Sequence, residues 1–185
     1  MPRANLNKER IFSVAASLAN QKGFAVLSLK DLASHFGVKP PSLFKHIRDI
    51  AEIKDALAVS GLTKLRDALK NGKSPEPREY LRRICYAYRD LAQKFPGEYD
   101  AFQETHIKRS PVVFKLAEEV LHAFQNALPH GVVADKIHTL RFLRSALHGF
   151  VQLERNNGFG LSENVDESFR RMVENLLDIA LLDSH

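Results

Sequence analysis

The chain has 185 residues, 44% of them hydrophobic, which is enough to bury a substantial core and excludes an intrinsically disordered protein. Its single cysteine, Cys85, excludes a framework of internal disulfides, and no apolar run approaches the ~20 residues that span a bilayer. The opening sequence MPRANLNKER lacks the apolar segment of a signal peptide, so we expect a cytoplasmic protein with no membrane partner.

The net charge of +5 is concentrated near the N-terminus. Residues 1–48 contain eight Lys and Arg side chains against Glu9 and Asp31, whereas residues 49–185 contain 19 basic and 20 acidic side chains. A basic segment of this kind is typical of a domain that binds the phosphates of nucleic acid. The alternative is a positive surface without a partner.

Apolar residues recur at intervals of three and four, which predicts an all-α protein. A first helix is predicted at about residues 7–22. The unit at residues 28–47 (SLKDLASHFGVKPPSLFKHI) then predicts two short helices, because Leu29 begins an apolar stripe at helical spacing, Ser28 and Asp31 resemble a capping box, and Gly37 permits a sharp turn. The second of these helices would present outward Lys39, Ser42, Phe44, Lys45 and His46. This is the shape of a helix-turn-helix that reads DNA.

A fourth helix, capped by Asp49 and ending near Lys70, would join this head to the rest of the chain. The stretch at 71–77 (NGKSPEP) contains a glycine and two prolines and is the clearest linker. The sequence therefore predicts a DNA-binding domain at residues 1–48, a connecting helix at 49–70, and a helical domain for effector binding and dimerisation at 71–185.

The third part predicts helices at about 78–95, 110–128, 135–156 and 166–182, with a short segment containing Tyr99 and Phe102 between the first two. The last two helices are apolar over a wide arc, which suggests burial against a second copy of the chain. The hypothesis of a homodimer names the interface residues Leu143, Leu147, Phe150, Val151, Phe169, Met172, Val173, Leu176, Ile179 and Ala180.

These features resemble the TetR family of bacterial transcriptional regulators. The head carries small, turn, core, aromatic and histidine residues where the family places them, at Ala33, Gly37, Val38, Ser42 to Phe44 and His46. The segments YAYRDLAQKFPGEYDAF, ALHGFVQLERNNGFGL and VDESF resemble the WHG branch, although Leu147 replaces the Trp of its Trp-His-Gly motif. The resemblance covers about residues 8–182. It implies a nine-helix fold and a dimeric repressor that binds a palindromic operator and is released by a small ligand.

Two departures from the family concern DNA contacts. Ile50 stands where many members carry a lysine that contacts phosphate, although Arg48 could substitute. Lys39 replaces the usual capping residue, and Pro40 and Pro41 after it lack the N–H donors that could meet phosphate. Anchoring is therefore expected to depend on side chains.

The candidates for contact with double-stranded DNA are Arg3, Lys8, Lys30, Lys39, Pro41, Ser42, Phe44, Lys45, His46 and Arg48. Lys39 and Lys45 suit guanine edges or phosphates, while Ser42 suits either kind of partner. Pro41 and Phe44 suit thymine methyl groups or sugars. The remaining cations and His46 are expected at the DNA backbone. The cations near the N-terminus, Arg3, Lys8 and Arg10, are also within reach of a minor groove. Each cation equally fits a solvated surface side chain. For Phe44, packing within the head is favoured over a base contact.

A ligand cavity needs apolar walls and a few polar groups aimed inward. The candidates for a mainly apolar ligand are Tyr86, Arg89, Phe102, His106, Phe124, Phe142, Ser145 and His148, with Tyr88 beside them. The aromatic residues also fit an ordinary core, and His148 beside Gly149 also fits close packing of two helices.

No histidine forms a close pair with another, and the sequence contains neither a Gly-rich phosphate loop nor a nucleophile elbow. We therefore expect that the protein binds no metal or cofactor and is not an enzyme. We also expect the thiol of Cys85 to be buried and inert. Three classes stay open: a ligand-responsive repressor, a DNA-binding architectural protein without a ligand, and a small helical enzyme. The charge distribution and the size of the C-terminal part favour the first.

Overall fold

The computed structural model describes residues 6–104, 110–128 and 133–181, and side chains in the last range from residue 136 onward. Within these ranges the chain is all-helical, as predicted, with eight α-helices, one 3₁₀ helix and no strand. The helices are α1 (Lys8–Lys22), α2 (Leu29–Phe36), the 3₁₀ helix (Pro40–Lys45), α3 (Ile50–Asn71), α4 (Pro77–Lys94), α5 (Pro96–Gln103), α6 (Pro111–Ala127), α7 (Val133–Arg155) and α8 (Val165–Ala180). Among the described residues, no helix has the length and apolar character of a membrane span.

The described residues group into two compact units. The first unit consists of residues up to 64 together with 94–117, and the second consists of residues 65–93 together with those from 118 onward. α3 and α6 each contribute residues to both units. These two units are defined by contacts between helices. The predicted division of the chain into three parts at residues 48 and 70 stays a prediction.

Side chains at the predicted positions begin the helices of the first unit. Asn7 Oδ1 accepts the backbone N–H of Arg10 at 2.8 Å, and Ser28 Oγ accepts that of Asp31 at 3.2 Å. Asp49 Oδ1 accepts the N–H of Glu52 at 2.8 Å at the start of α3. Each cap satisfies a donor that has no partner within its own helix, so the helix boundaries follow from local sequence.

The third helix of the motif is shorter and tighter than an α-helix. The N–H of Ser42 donates to the Lys39 carbonyl and that of His46 to the Leu43 carbonyl, both at 2.9 Å, so these bonds span three residues rather than four. Pro40 and Pro41 occupy the first two positions, where the missing N–H groups cost no hydrogen bond within the helix.

The first unit is held together where α1 meets α5. A Cβ added to Gly97 would lie 2.4 Å from the carbonyl carbon of Ala19, so only glycine permits this approach of the two backbones. Asn20 strengthens the contact, because its Oδ1 accepts the backbone N–H of Gly97 at 2.8 Å. α5 is a regular helix that begins at Pro96 and buries Tyr99 completely, where the sequence indicated only a short segment.

Candidate nucleic-acid interface

The turn between α2 and the 3₁₀ helix has the glycine geometry that the sequence indicated. Gly37 adopts the left-handed conformation, with φ 64° and ψ 30°, and its N–H donates to the Ser34 carbonyl at 3.1 Å. The N–H of Val38 donates to the Ala33 carbonyl at 2.9 Å, which closes the end of α2. The chain therefore leaves α2 at a fixed angle.

Two apolar side chains anchor the segment that follows the turn. Leu43 and Ile47 are buried, and so is Leu32 of α2. On the outside, Phe44 keeps 50% of its surface exposed. Of the other residues predicted on this face, Lys39, Pro41 and Lys45 are exposed, whereas Ser42 and His46 are half-buried. The predicted outward face is thus a solvent-facing surface of mixed basic, polar and aromatic character.

Basic side chains flank this face. Lys30 is exposed at the start of α2, and Arg48 has 82% of its side chain exposed beyond the 3₁₀ helix. Lys8 lies at the first position of α1 and is 54% exposed. The guanidinium of Arg10 lies 6.0 Å from the ring of Phe36. Arg3, the remaining predicted cation, lies outside the described residues.

Glu52 joins two of these cations, and the sequence reasoning missed it. Its Oε2 accepts the backbone N–H of Arg48 at 2.7 Å, and its Oε1 lies 2.5 Å from the Nζ of Lys8. The Arg48 N–H, followed by Lys8, holds the pKa of Glu52 below its usual value. Glu52 thus connects α1 and Arg48, which follows the 3₁₀ helix, to the start of α3. The spacing Asp49-x-x-Glu52, which matches a capping box, was the signal available in the sequence.

A second carboxylate that the sequence reasoning missed lies deeper in the first unit. Glu98 of α5 is only 1% exposed. It accepts hydrogen bonds from the Ser60 hydroxyl at 2.5 Å, from Lys64 Nζ at 2.6 Å and from Asn20 Nδ2 at 3.3 Å. These partners lie on α3 and α1, so one buried carboxylate connects three helices. Buried charges persist in proteins when they are paired and hydrogen-bonded, as this one is.

The predicted ligand-binding residues do not share one site. Tyr86 and Arg89 line an open groove of about 490 Å³ in the second unit, together with Asn164, Asp166, Glu167 and Arg170. Phe102 belongs to the first unit, and His106 lies outside the described residues. Outside the groove, Phe124 and His148 are half-buried, while Phe142 and Ser145 are exposed on α7.

Arg89 is the central residue of the groove. It is 7% exposed, and its Nε donates to Glu154 at 2.9 Å while its Nη2 donates to Glu154 and, at 2.6 Å, to Asp166. Its guanidinium carbon lies 4.5 Å from the ring centroid of Phe169 and 5.9 Å from that of Phe150. The hydrogen bond to Glu154 is the first cause that raises the pKa of Arg89, so the guanidinium stays charged.

Most of the predicted dimer residues pack inside a single protomer. The buried members are Leu143, Leu147, Val151, Phe169, Val173, Leu176 and Ala180. Phe150 and Met172 are half-buried, and Ile179 is 54% exposed. The wide apolar arc of α7 and α8 is therefore largely used within one chain, and a second copy would have to meet the remaining faces of these helices.

The described residues contain no cluster of three or more His, Cys, Asp or Glu side chains suited to a metal ion. Cys85 is completely buried in α4, and this burial raises the pKa of its thiol to about 12. A thiol in this state is a poor nucleophile, because the thiolate is the reactive form.

Comparisons with known proteins cover nearly the whole chain. Residues 11–57 match the family model described as bacterial regulatory proteins, tetR family, and residues 81–176 match that of the tetracyclin repressor-like C-terminal domain. The chain is 32% identical to YobS of Bacillus subtilis (strain 168), an uncharacterized HTH-type transcriptional regulator, over 99% of this chain and 97% of YobS.

Solved structures share the fold. A protein of unknown function from Rhodococcus sp. RHA1 is similar with a TM-score of 0.76 and 20% identity, over 97% of this chain and 98% of that one. A variant of TetR from Acinetobacter baumannii AYE, solved in complex with minocycline, is similar with a TM-score of 0.69 and 19% identity, over 94% and 96% of the two chains.

Proposed function

Because the chain belongs to the TetR family of transcriptional regulators and carries its helix-turn-helix DNA-binding domain, we propose that it is a dimeric repressor that binds a palindromic operator and leaves it when a small ligand binds. This is a family of regulators rather than enzymes. The observation that carries the proposal is the exposed face of Lys39, Phe44 and Lys45 on a fixed turn within the most basic part of the chain.

The head would bind DNA mainly through side chains. Pro40 and Pro41 lack N–H groups, and the N–H of Ser42 already donates to the Lys39 carbonyl. The start of the 3₁₀ helix therefore offers few backbone donors to a phosphate. Lys45 and Lys39 would reach base edges or phosphates in the major groove, while Lys30 and Arg48 would hold the DNA backbone on either side. Phosphate contacts of this kind make affinity fall steeply with salt.

A second copy would dock on the surface of α7 and α8 that packing within the protomer leaves open. Phe142, Ser145, Gly149 and Leu153 follow one face of α7 at helical spacing, and all four are exposed. A Cβ added to Gly149 would meet no atom within 4 Å, so another helix could approach closely there. Ile179 supplies an exposed apolar side chain from α8. Light scattering at micromolar protein should give the mass of a dimer, and a monomer would contradict this part of the proposal.

The ligand-responsive step is supported by the groove at Arg89 and by the likeness to a TetR variant solved with minocycline. Binding of a ligand would favour a spacing of the two heads that does not fit the operator. A molecule shifts such an equilibrium only if it binds the two states with different affinity. The corresponding experiment is to titrate candidate ligands into the protein–operator complex and to measure release.

The test of DNA reading replaces one exposed lysine at a time. Footprinting on DNA upstream of the protein's own gene supplies the operator, and fluorescence anisotropy compares it with random DNA. Lys45→Ala should weaken operator binding by about 1–3 kcal/mol and relax the preference at one base position. The control Lys73→Ala removes the same charge at an exposed position outside the helix-turn-helix and should leave operator binding nearly unchanged. Equal losses on operator and random DNA for Lys45→Ala would instead make it a phosphate contact.

A further inference from the structure

We propose that the groove at Arg89 binds the carboxylate of a small aromatic acid, which takes the place of Asp166 on the guanidinium. The groove lies wholly within the second unit, where Arg89 (α4), Glu154 (α7) and Asp166 (α8) converge. Its volume of about 490 Å³ falls within the range of ~300–1,000 Å³ typical of small-molecule sites. This inference names a ligand class for the regulator proposed above.

The stereochemistry of Arg89 leaves one edge of its guanidinium half used. Glu154 occupies the edge formed by Nε and Nη2 with two hydrogen bonds. On the edge formed by Nη1 and Nη2, Asp166 bonds to Nη2 alone, and among the described residues Nη1 has no hydrogen-bond acceptor. Nη1 is not one of the fully buried polar atoms that lack a partner. It therefore keeps contact with solvent. A carboxylate that bonds to both nitrogens would complete this edge in the two-pronged geometry that arginine favours.

Asp166 behaves as a replaceable partner, whereas Glu154 does not. The side chain of Asp166 is 80% exposed, while that of Glu154 is 17% exposed. Because the Asp166 side chain lies largely in solvent, a dissolved carboxylate can reach the same face of the guanidinium and compete with Asp166 for it. Glu154 would meanwhile keep the guanidinium oriented for either partner.

The wall of the groove favours an aromatic body on the ligand. Tyr86 lines the groove and is 37% exposed, and its ring lies edge-on to that of Phe169 with centroids 5.2 Å apart. Phe169 is fully buried and also lies against the guanidinium of Arg89, so the exposed ring of Tyr86 and the charged donor share one buried neighbour. The other cation of the groove, Arg170, is engaged twice by Glu167 at 2.7 Å. One available cationic edge beside one ring suits a ligand with one carboxylate and a flat apolar body.

The groove would stay accessible in the proposed dimer. Side chains on an α-helix are separated by about 100° per residue. Arg170 and Ile179 are nine residues apart, which places them on opposite sides of α8. A copy that docks on the side of Ile179 therefore leaves the side of Arg170 open to solvent.

The experiment measures binding of 2-naphthoate by calorimetry to the full-length protein without DNA, with 2-naphthamide as a neutral probe of nearly the same shape. We expect 2-naphthoate to bind at least tenfold more tightly than the amide. Asp166→Asn, which removes the competing carboxylate, should tighten 2-naphthoate binding at least threefold and leave the amide unchanged. The matched control Glu163→Gln removes an exposed negative charge outside the groove and should have little effect.

Arg89→Gln should abolish the preference for the acid over the amide, with circular dichroism to confirm folding. If this variant does not fold, the comparison of Asp166→Asn with Glu163→Gln in 2-naphthoate binding still tests the proposal. The inference is overturned if 2-naphthoate does not bind, if the amide binds as tightly, or if Glu163→Gln tightens binding as much as Asp166→Asn does. Operator release is measured afterwards. Binding without release would uphold the groove as a carboxylate site and contradict the ligand-released repressor.

Discussion

Replacing Gly97 by alanine should destabilise the protein by about 2 kcal/mol, because Gly97 lies where α1 and α5 touch. The added Cβ would lie 2.4 Å from the carbonyl carbon of Ala19 and 2.6 Å from its oxygen, about 1 Å closer than ordinary contact. The atoms it meets belong to backbone and cannot rotate away. Overpacking of this kind costs about 1–3 kcal/mol, and the upper end applies to a rigid neighbour. Alanine recovers at most about 1 kcal/mol of that cost through its higher helix propensity.

The assay is urea unfolding followed by circular dichroism, at one protein concentration for all variants because dimer stability depends on concentration. The expected loss corresponds to a fall in melting temperature of about 4–8 °C for a chain of this size. Gly160→Ala is the matched control, since its Cβ would meet no atom within 4 Å, and it should stay within about 0.5 kcal/mol of the parent. A Gly97→Ala protein as stable as the Gly160→Ala control would refute the reasoning.

Three further predictions concern other side chains of the structure. Glu52→Gln keeps an oxygen for the Arg48 N–H but removes the charge that faces two basic residues, so affinity for random DNA, measured by anisotropy, should rise by about twofold; an unchanged affinity would mean that these cations do not contact DNA. Glu174 is paired with arginines, Arg82 first, which lower its pKa to about 2. The stability that the Glu174 carboxylate provides is therefore present above about pH 4.5 and is lost as the pH falls toward 2. In urea unfolding, Glu174→Gln should therefore be less stable than the parent at neutral pH, and most of this difference should disappear by pH 2. A constant difference would count against the pairing. Cys85 should react with a thiol reagent only as fast as the protein unfolds, whereas rapid labelling of the folded protein would contradict its burial.

The helix-turn-helix could be predicted from the sequence because its determinants are local. The stripe that begins at Leu29, the cap at Ser28 and the glycine turn at Gly37 all act within a few residues, and the structure contains each of them. The main difference in this region is the 3₁₀ form of Pro40–Lys45, which the apolar spacing does not distinguish from an α-helix.

The polar clusters could not be predicted in the same way. Asn20 and Glu98 are 78 positions apart, and Arg89 and Asp166 are 77 positions apart, so no periodic pattern connects them. The broad apolar arcs of α7 and α8 were ambiguous for a related reason. Periodicity shows which residues seek burial but does not distinguish burial within one chain from burial against a second copy.

The central claim is that this chain reads a two-fold symmetric DNA sequence through the unit at residues 28–47. The most direct measurement is selection of bound fragments from a random library of double-stranded DNA by the purified full-length protein, followed by sequencing. We expect enrichment of one palindrome, with affinity for it that falls steeply between about 50 and 200 mM salt and enrichment that weakens for Lys45→Ala. Recovery of no preferred sequence, or of a sequence without two-fold symmetry, would contradict it.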